Sequence, residues 1–226
     1  ISYIASTMAV KIGIVGLPNV GKSSLYNALT CNQAEAANYP FCTIDPNVGV
    51  VEVPDQRLNK LNEIVATEKV IPSFVHFVDI AGLVKNASQG EGLGNKFLGH
   101  IRETQAIAHV VRCFSDPDVI RVDESTDPIS DIEIIETELL IADMQTIEKH
   151  IEKTKKVAKS GNKESIKYLN QLQALLDLFN ANDVHRLDET LAIIASDIGL
   201  ISTKPIIYIA NIDEDDSDPK LLKRSS

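Results

Sequence analysis

Residues 16–23 read GLPNVGKS, and this octapeptide constrains the fold more than any other stretch of the chain. It fits the pattern GxxxxGK[ST]. A short apolar run rich in β-branched residues, VKIGIV at 10–15, precedes it, and a helical pattern from Lys22 to about Leu29 follows. Strand, glycine-rich turn and helix are the context in which this pattern binds phosphate. Glycines let backbone N–H groups approach phosphate oxygens closely, and the helix N-terminus adds partial positive charge. Asn19, Val20, Gly21, Lys22, Ser23 and Ser24 are therefore the expected phosphate-binding run. Lys22 is placed to reach the β- and γ-phosphates, and the Ser23 hydroxyl to hold Mg²⁺.

The rest of the chain fits an α/β architecture. GVVEV (49–53), FVHFVD (74–79), AHVVRCF (108–114) and PIIYIA (205–210) read as strands, and DQRLNKLNEIV (55–65) carries helical spacing. Strands alternating with helices predict a three-layer α/β/α domain with a mostly parallel sheet. Residues 131–180 break that rhythm. Apolar residues from Ile132 to Ala158 recur at helical spacing, SGN at 160–162 stops the run, and a second run extends from Ile166 to Phe179. Two long antiparallel helices follow from this, with a third short helix over about 186–198 ending at Gly199. Between two strands they form an insertion. The expected division is a P-loop G domain over 8–124 and 200–219, an inserted helical domain over 125–199, and a tag or upstream remnant at 1–7. Met8 reads as the natural start.

Two further motifs separate a switch from a kinase. DIAG (79–82) closes a strand, as DxxG does in switch-type nucleotide hydrolases. Asp79 would support Mg²⁺, and the Gly82 N–H would meet the γ-phosphate. Thr43, within NYPFCTIDPN, supplies the hydroxyl that such enzymes close over the metal; a plain surface threonine is the alternative. The third position is the strand end PIIYIANIDE (205–214). GTPases usually carry Asn-Lys-x-Asp there, with the Asp accepting both guanine N–H groups. Here Asn211 is followed by Ile212 and Glu214, a longer carboxylate in the Asp position. Adenine has no N1–H and carries an amine at C6, so the altered carboxylate should weaken guanine selection. Glu214 also begins an acidic run and reads alternatively as part of a solvated loop.

Together GLPNVGKSS, NYPFCTIDPN, DIAGLVKNASQGEGLGNKFL and ANIDE closely resemble YchF, the Obg-like ATPase family, over roughly residues 8–219. The resemblance implies a G domain with an inserted helical hairpin, ATP bound in preference to GTP, slow Mg²⁺-dependent hydrolysis, and association with ribosomal RNA and proteins. The sequence departs from the family pattern at Asn86, where Gly is usual, and more loosely over 116–124. The family continues with a last strand and helix of the G domain and a TGS domain, so the resemblance implies that this chain is a fragment. Without a further strand beside it, PIIYIA would be exposed.

Mechanistic expectations follow residue by residue. Many switch GTPases place Gln directly after DxxG to orient water. Here the position is Leu83, which neither donates nor accepts, so hydrolysis is slow or relies on another group. Asn19 is a candidate K⁺ ligand, with a turn-forming Asn as the alternative. QGEGLGN (89–95) reads as a mobile switch loop. Lys149, Lys153, Lys155, Lys156, Lys159, Lys163 and Lys167 gather at the hairpin tip. They form either a solvated face paired with Glu148 and Glu152 or an rRNA-contacting tip.

Composition closes off several classes. A net charge of −10 argues against general binding of naked nucleic acid, DNA included. No apolar run approaches the roughly 20 residues a membrane helix needs. Three cysteines (Cys31, Cys42, Cys113) with no CxxC spacing indicate neither a disulfide framework nor zinc, and fit a reduced cytoplasm. The five histidines lack metal-ligand spacing; His100 and His109 read as flanking a helix–strand connection. A nucleotide-hydrolysing switch leads these readings. A conventional GTPase, a binding module with negligible turnover and a small-molecule kinase stand behind it.

Overall fold

A computed structural model of the chain describes residues 10–30, 47–65, 67, 70–80, 93–114, 127–159 and 161–213. Thr43, Gly82, Leu83, Asn86, Glu214, Cys31, Cys42, residues 1–7 and residues 116–124 lie outside that set.

Five strands make one sheet: β1 (Val10–Val15), β2 (Val48–Glu52), β3 (Phe74–Asp79), β4 (Ala106–Arg112) and β5 (Ile206–Asn211), in the order β2-β3-β1-β4-β5. β1 pairs parallel with β3 and β4, and β4 pairs parallel with β5. β2 is the exception and runs antiparallel to β3 at one edge, as an edge strand can without a crossover helix. The central strands are apolar on both faces because both faces are covered. Ile14, Val20, Ala108 and Val110 pack with Leu25 and Tyr26 of helix α1 (Lys22–Thr30) on one face. On the other, Val15, Ile80 and Ile107 meet helix α3 (Leu93–Arg102) through Phe97, Leu98 and Ile101. Helix α2 (Gln56–Ile64) links β2 to β3 and starts on Asp55, whose carboxylate accepts from Arg57 N.

Helix α4 (Pro128–Ala158) is 31 residues, about 46 Å, long. Asp127 caps it and Pro128 occupies the first turn, where a missing N–H is harmless. Its two halves belong to different cores. Ile135, Leu139 and Ala142 lie i, i+4, i+7 apart and cover the sheet with α3. Ile147 and Ile151 pack instead on Leu172, Leu175 and Phe179 of helix α5 (Lys163–Asn180). The first half of α4, which lies in the helical domain expected over 125–199, thus covers the sheet, and its second half packs on α5. Asn162 caps α5 after a turn at Gly161, φ +81°.

A 3₁₀ turn (Val184–Arg186) precedes helix α6 (Glu189–Asp197). Gly199 stops the chain there in the left-handed region, φ +71°, and Leu200 N returns to Ala195 O at 2.9 Å. Residues 93–95, expected in a switch loop, are the first turn of α3. β5 is the sheet edge, with Ile207 53% and Tyr208 47% exposed.

Candidate phosphate and base site

The turn between β1 and α1 demands glycine twice. A Cβ on Gly16 would lie 2.4 Å from the Val110 carbonyl oxygen, so the turn hugs β4 as no side chain allows. Gly21 has φ +98°, and a Cβ there would lie 2.3 Å from Asn211 Nδ2. Asn19 adopts φ +61°, a conformation Asn tolerates better than most residues. These constraints close the turn over the N-terminus of α1. The first turn of that helix holds no acidic residue, and Ser23 and Ser24 lie exposed on it.

Lys22 is only 8% exposed, and its Nζ donates to Leu17 O at 2.7 Å across the turn. Burial holds its pKa below the ordinary lysine range, and the carboxylate of Asp79 partly opposes that. Asp79 ends β3 in register with Ile14 on β1, so both strands deliver their C-terminal ends to the same place. The Asp79 backbone N–H donates to Asn47 O at 3.0 Å.

The far end of β5 reaches the same turn. Asn211 lies opposite Arg112 on β4, and its Nδ2 donates to Val20 O at 3.0 Å. Thus Asn19, Val20, Gly21, Lys22, Ser23, Ser24, Asp79 and Asn211 gather at the C-terminal ends of the parallel strands. Ile212, which follows, is 39% exposed. Ser23 and Asp79 are hard oxygen donors of the kind Mg²⁺ takes when substrate phosphates complete its shell. Among the described residues there is no group of three or more His, Cys, Asp or Glu that could hold a metal ion.

Sequence reasoning missed His109. It lies within β4 rather than at a connection, 2% exposed, opposite Val15 and Tyr208 in the parallel register. Its ring centroid is 5.6 Å from that of Tyr208. Burial, helped by the positive charge of Lys22, pushes its pKa down to about 4. The Tyr208 hydroxyl donates to Glu136 on α4, and burial with that carboxylate raises its pKa to about 12. The signal was a histidine within the otherwise apolar run AIAHVV, sharing the face of Ile107. Cys113 lies just beyond β4 and is half-buried.

The seven hairpin-tip lysines are all exposed. Among the described residues none has an ion pair, so the pairing with Glu148 and Glu152 is not formed. No helix among the described residues is long and apolar enough to cross a membrane.

The family model described as "50S ribosome-binding GTPase" matches residues 11–138. "Ribosome-binding ATPase YchF" from Bacillus subtilis (strain 168) is 52% identical over 216 residues, 94% of this chain and 59% of that protein. The protein of the same name from Haemophilus ducreyi is 53% identical over 213 residues, 92% of this chain and 58% of that protein. A solved structure of the Schizosaccharomyces pombe YchF GTPase superposes with a TM-score of 0.78 at 37% identity, covering 95% of this chain and 60% of that one. The chain thus spans about three fifths of the length of the curated relatives it matches.

Proposed function

The chain belongs to the 50S ribosome-binding GTPase family, on its YchF branch, and from that membership we propose that it is a nucleotide-operated switch that binds and slowly hydrolyses ATP and associates with the ribosome. The observation that carries this reading is Lys22. A buried ammonium, held by a backbone carbonyl of its own loop at 2.7 Å, stands at the N-terminus of a helix whose own first turn carries no acidic residue. An ammonium in such a place suits an arriving phosphate anion, to which it can transfer its hydrogen bond.

In this reading the amides of the 16–24 turn receive the phosphates, and Lys22 exchanges Leu17 O for β- and γ-phosphate oxygens. Ser23 and Asp79 would hold Mg²⁺, and Thr43, which lies outside the described residues, would add its hydroxyl. The metal supplies neutralisation of charge developing on the phosphoryl oxygens. The Gly82 N–H senses the γ-phosphate. Leu83 offers water neither donor nor acceptor, which makes turnover slow. K⁺ held by Asn19 would assist; a rate indifferent to exchanging K⁺ for Na⁺ removes that part.

The base preference rests on Asn211, Ile212 and Glu214. Asn211 ties the strand end to Val20, while the changed carboxylate disfavours guanine. The ribosomal partner finds support at the hairpin tip. Residues 149–167 carry seven lysines against Glu152 and Glu164, a balance of 7 − 2 = +5 in a chain of net charge −10. Unpaired cations in an acidic protein suit rRNA phosphates.

The test is phosphate release from ATP over a long incubation with Mg²⁺, with EDTA and with Lys22→Ala. Slow release that needs both the metal and Lys22 supports the proposal. Tight binding without release favours the binding module that Leu83 makes the second reading, and release insensitive to Lys22 sinks both.

A further inference from the structure

A second cluster of charge lies away from the phosphate site, where α3, α4 and the segment entering β5 meet. Asp143, in the middle of α4, is 0% exposed. Its Oδ1 accepts from Ile201 N at 2.9 Å. Its Oδ2 accepts from Ile201 N at 2.8 Å, Ser202 N at 2.7 Å and Ser202 Oγ at 2.7 Å. Two residues on, the Lys204 ammonium caps the end of α3, donating to Ile101 O at 2.9 Å, Arg102 O at 2.8 Å and Thr104 O. Burial works against both charges, raising the pKa of Asp143 and lowering that of Lys204; the Asp143 carboxylate opposes the effect on Lys204, while the hydrogen bonds from Ser202 and Ile201 and the charge of Arg102 oppose the effect on Asp143.

Arg102, the last residue of α3, is the member that does not fit. Its Nη2 donates to Thr146 Oγ1 at 2.9 Å, but its Nε is buried without an acceptor, the only such side-chain atom among the described residues. Asp143 lies close enough for Arg102 to stabilise its charge. A buried guanidinium N–H without a partner is unfavourable, and a carboxylate is the acceptor whose geometry it matches. One carboxylate therefore has two claimants: the 201–202 segment, which holds it here, and Arg102, which does not.

We propose that Asp143 is a two-position latch, holding the amides of Ile201 and Ser202 in the arrangement seen and, in the other, releasing them to take the Arg102 guanidinium through Nε. The latch rests on the switch reading above for its signal. Helix α3 is the first described element after Asp79 and Ile80 at the phosphate site. The 201–204 segment leads directly into β5, whose last residue is tied to Val20. Helix α4 runs on from Asp143 into the lysine-bearing tip. A shift of α3 thus changes which partner Asp143 holds and transmits the phosphate state to the base-side strand and the hairpin. Asp143 and Arg102 act here as positioning residues. They touch no substrate.

The experiment is hydrogen exchange at the Ile201 and Ser202 amides in the intact chain, with Mg²⁺ and either ADP or a non-hydrolysable ATP analogue. In wild type the two states should differ about tenfold. Arg102→Met keeps the aliphatic bulk and removes the claimant. It should abolish that difference while leaving nucleotide affinity within about threefold and the melting temperature no lower. Equal exchange in both states while calorimetry shows both nucleotides bound overturns the latch but not the switch, as does a difference that survives Arg102→Met. If calorimetry shows no nucleotide bound, the switch reading fails on its own, and a ligand-free pair decides the latch. Ser202→Ala weakens the segment's claim and should speed exchange at Ile201; adding Arg102→Met should slow it again. A rigid joint gives a double variant at least as fast as the single one, and that result overturns the proposal.

Discussion

His109 offers a stability test whose size can be worked out beforehand. The ring is 2% exposed beneath the phosphate turn, with Lys22 as its charged neighbour and Tyr208 against its face. Its pKa falls from the ordinary 6.5 to about 4. The folded chain therefore binds this proton less readily than the unfolded chain. The contribution to stability is present in full above pH 6.5, fades as pH falls, and is lost near pH 4. At about 1.4 kcal/mol per pKa unit, the whole span is about 3 kcal/mol, of which about 2 kcal/mol is gone by pH 5. His109→Gln removes the titrating group while keeping a polar side chain of similar length. Urea unfolding at pH 7 and pH 5 is the assay. Wild type should lose about 2 kcal/mol more than the variant between those two pH values. Parallel losses would refute the reasoning, because they would mean that the imidazole takes its proton without unfolding the chain. A phosphate anion seated by Lys22 should shrink the difference, since it offsets the charge that repels the imidazolium.

Three further outcomes follow from named contacts. Gly21→Ala must leave φ +98° or displace Asn211 from Val20; strain of about 1–2 kcal/mol and a hydrogen bond worth about 1 kcal/mol should cost nucleotide affinity roughly 30-fold or more, read by calorimetry. Asp143→Ala strands the amides of Ile201 and Ser202 beside two half-buried cations, and urea unfolding should show a loss of about 3–5 kcal/mol; less than about 1 kcal/mol would mean that water replaces the carboxylate. Lys155→Glu with Lys156→Glu reverses two unpaired tip charges and should weaken co-sedimentation with ribosomes without moving the melting temperature; undiminished co-sedimentation would remove the tip from the interface.

The parts of the fold that could be read from sequence are those where local chemistry and global structure agree. VKIGIV before a glycine-rich turn is strand by β-branching and by burial on both faces, and the helix after it begins where the pattern demands. Asn211 was legible because an amide ending an apolar strand has few structural uses, and its bond to Val20 O supplies one. What escaped depends on contacts between segments distant in sequence. The apolar spacing of α4 is helical throughout, so nothing local marks where Ala142 stops facing the sheet and Ile147 starts facing α5. Glycines in QGEGLGN suggested a loop, yet Leu93 to Asn95 are helical, in an element anchored by Phe97, Leu98 and Ile101 on the sheet. His109 looked terminal because the strand was placed two residues late. Asp143 carried no signal at all, since its partners lie 58 and 59 residues away.

We propose a nucleotide switch whose base site has moved away from guanine. Calorimetric titration of the Mg²⁺-bound chain with a non-hydrolysable ATP analogue and its GTP counterpart, side by side, tests it most directly. Both should bind saturably, the ATP analogue more tightly, and both should be lost in Lys22→Ala. Tighter GTP binding would show that the carboxylate after Asn211 still reaches guanine, and binding of neither would contradict the phosphate site itself.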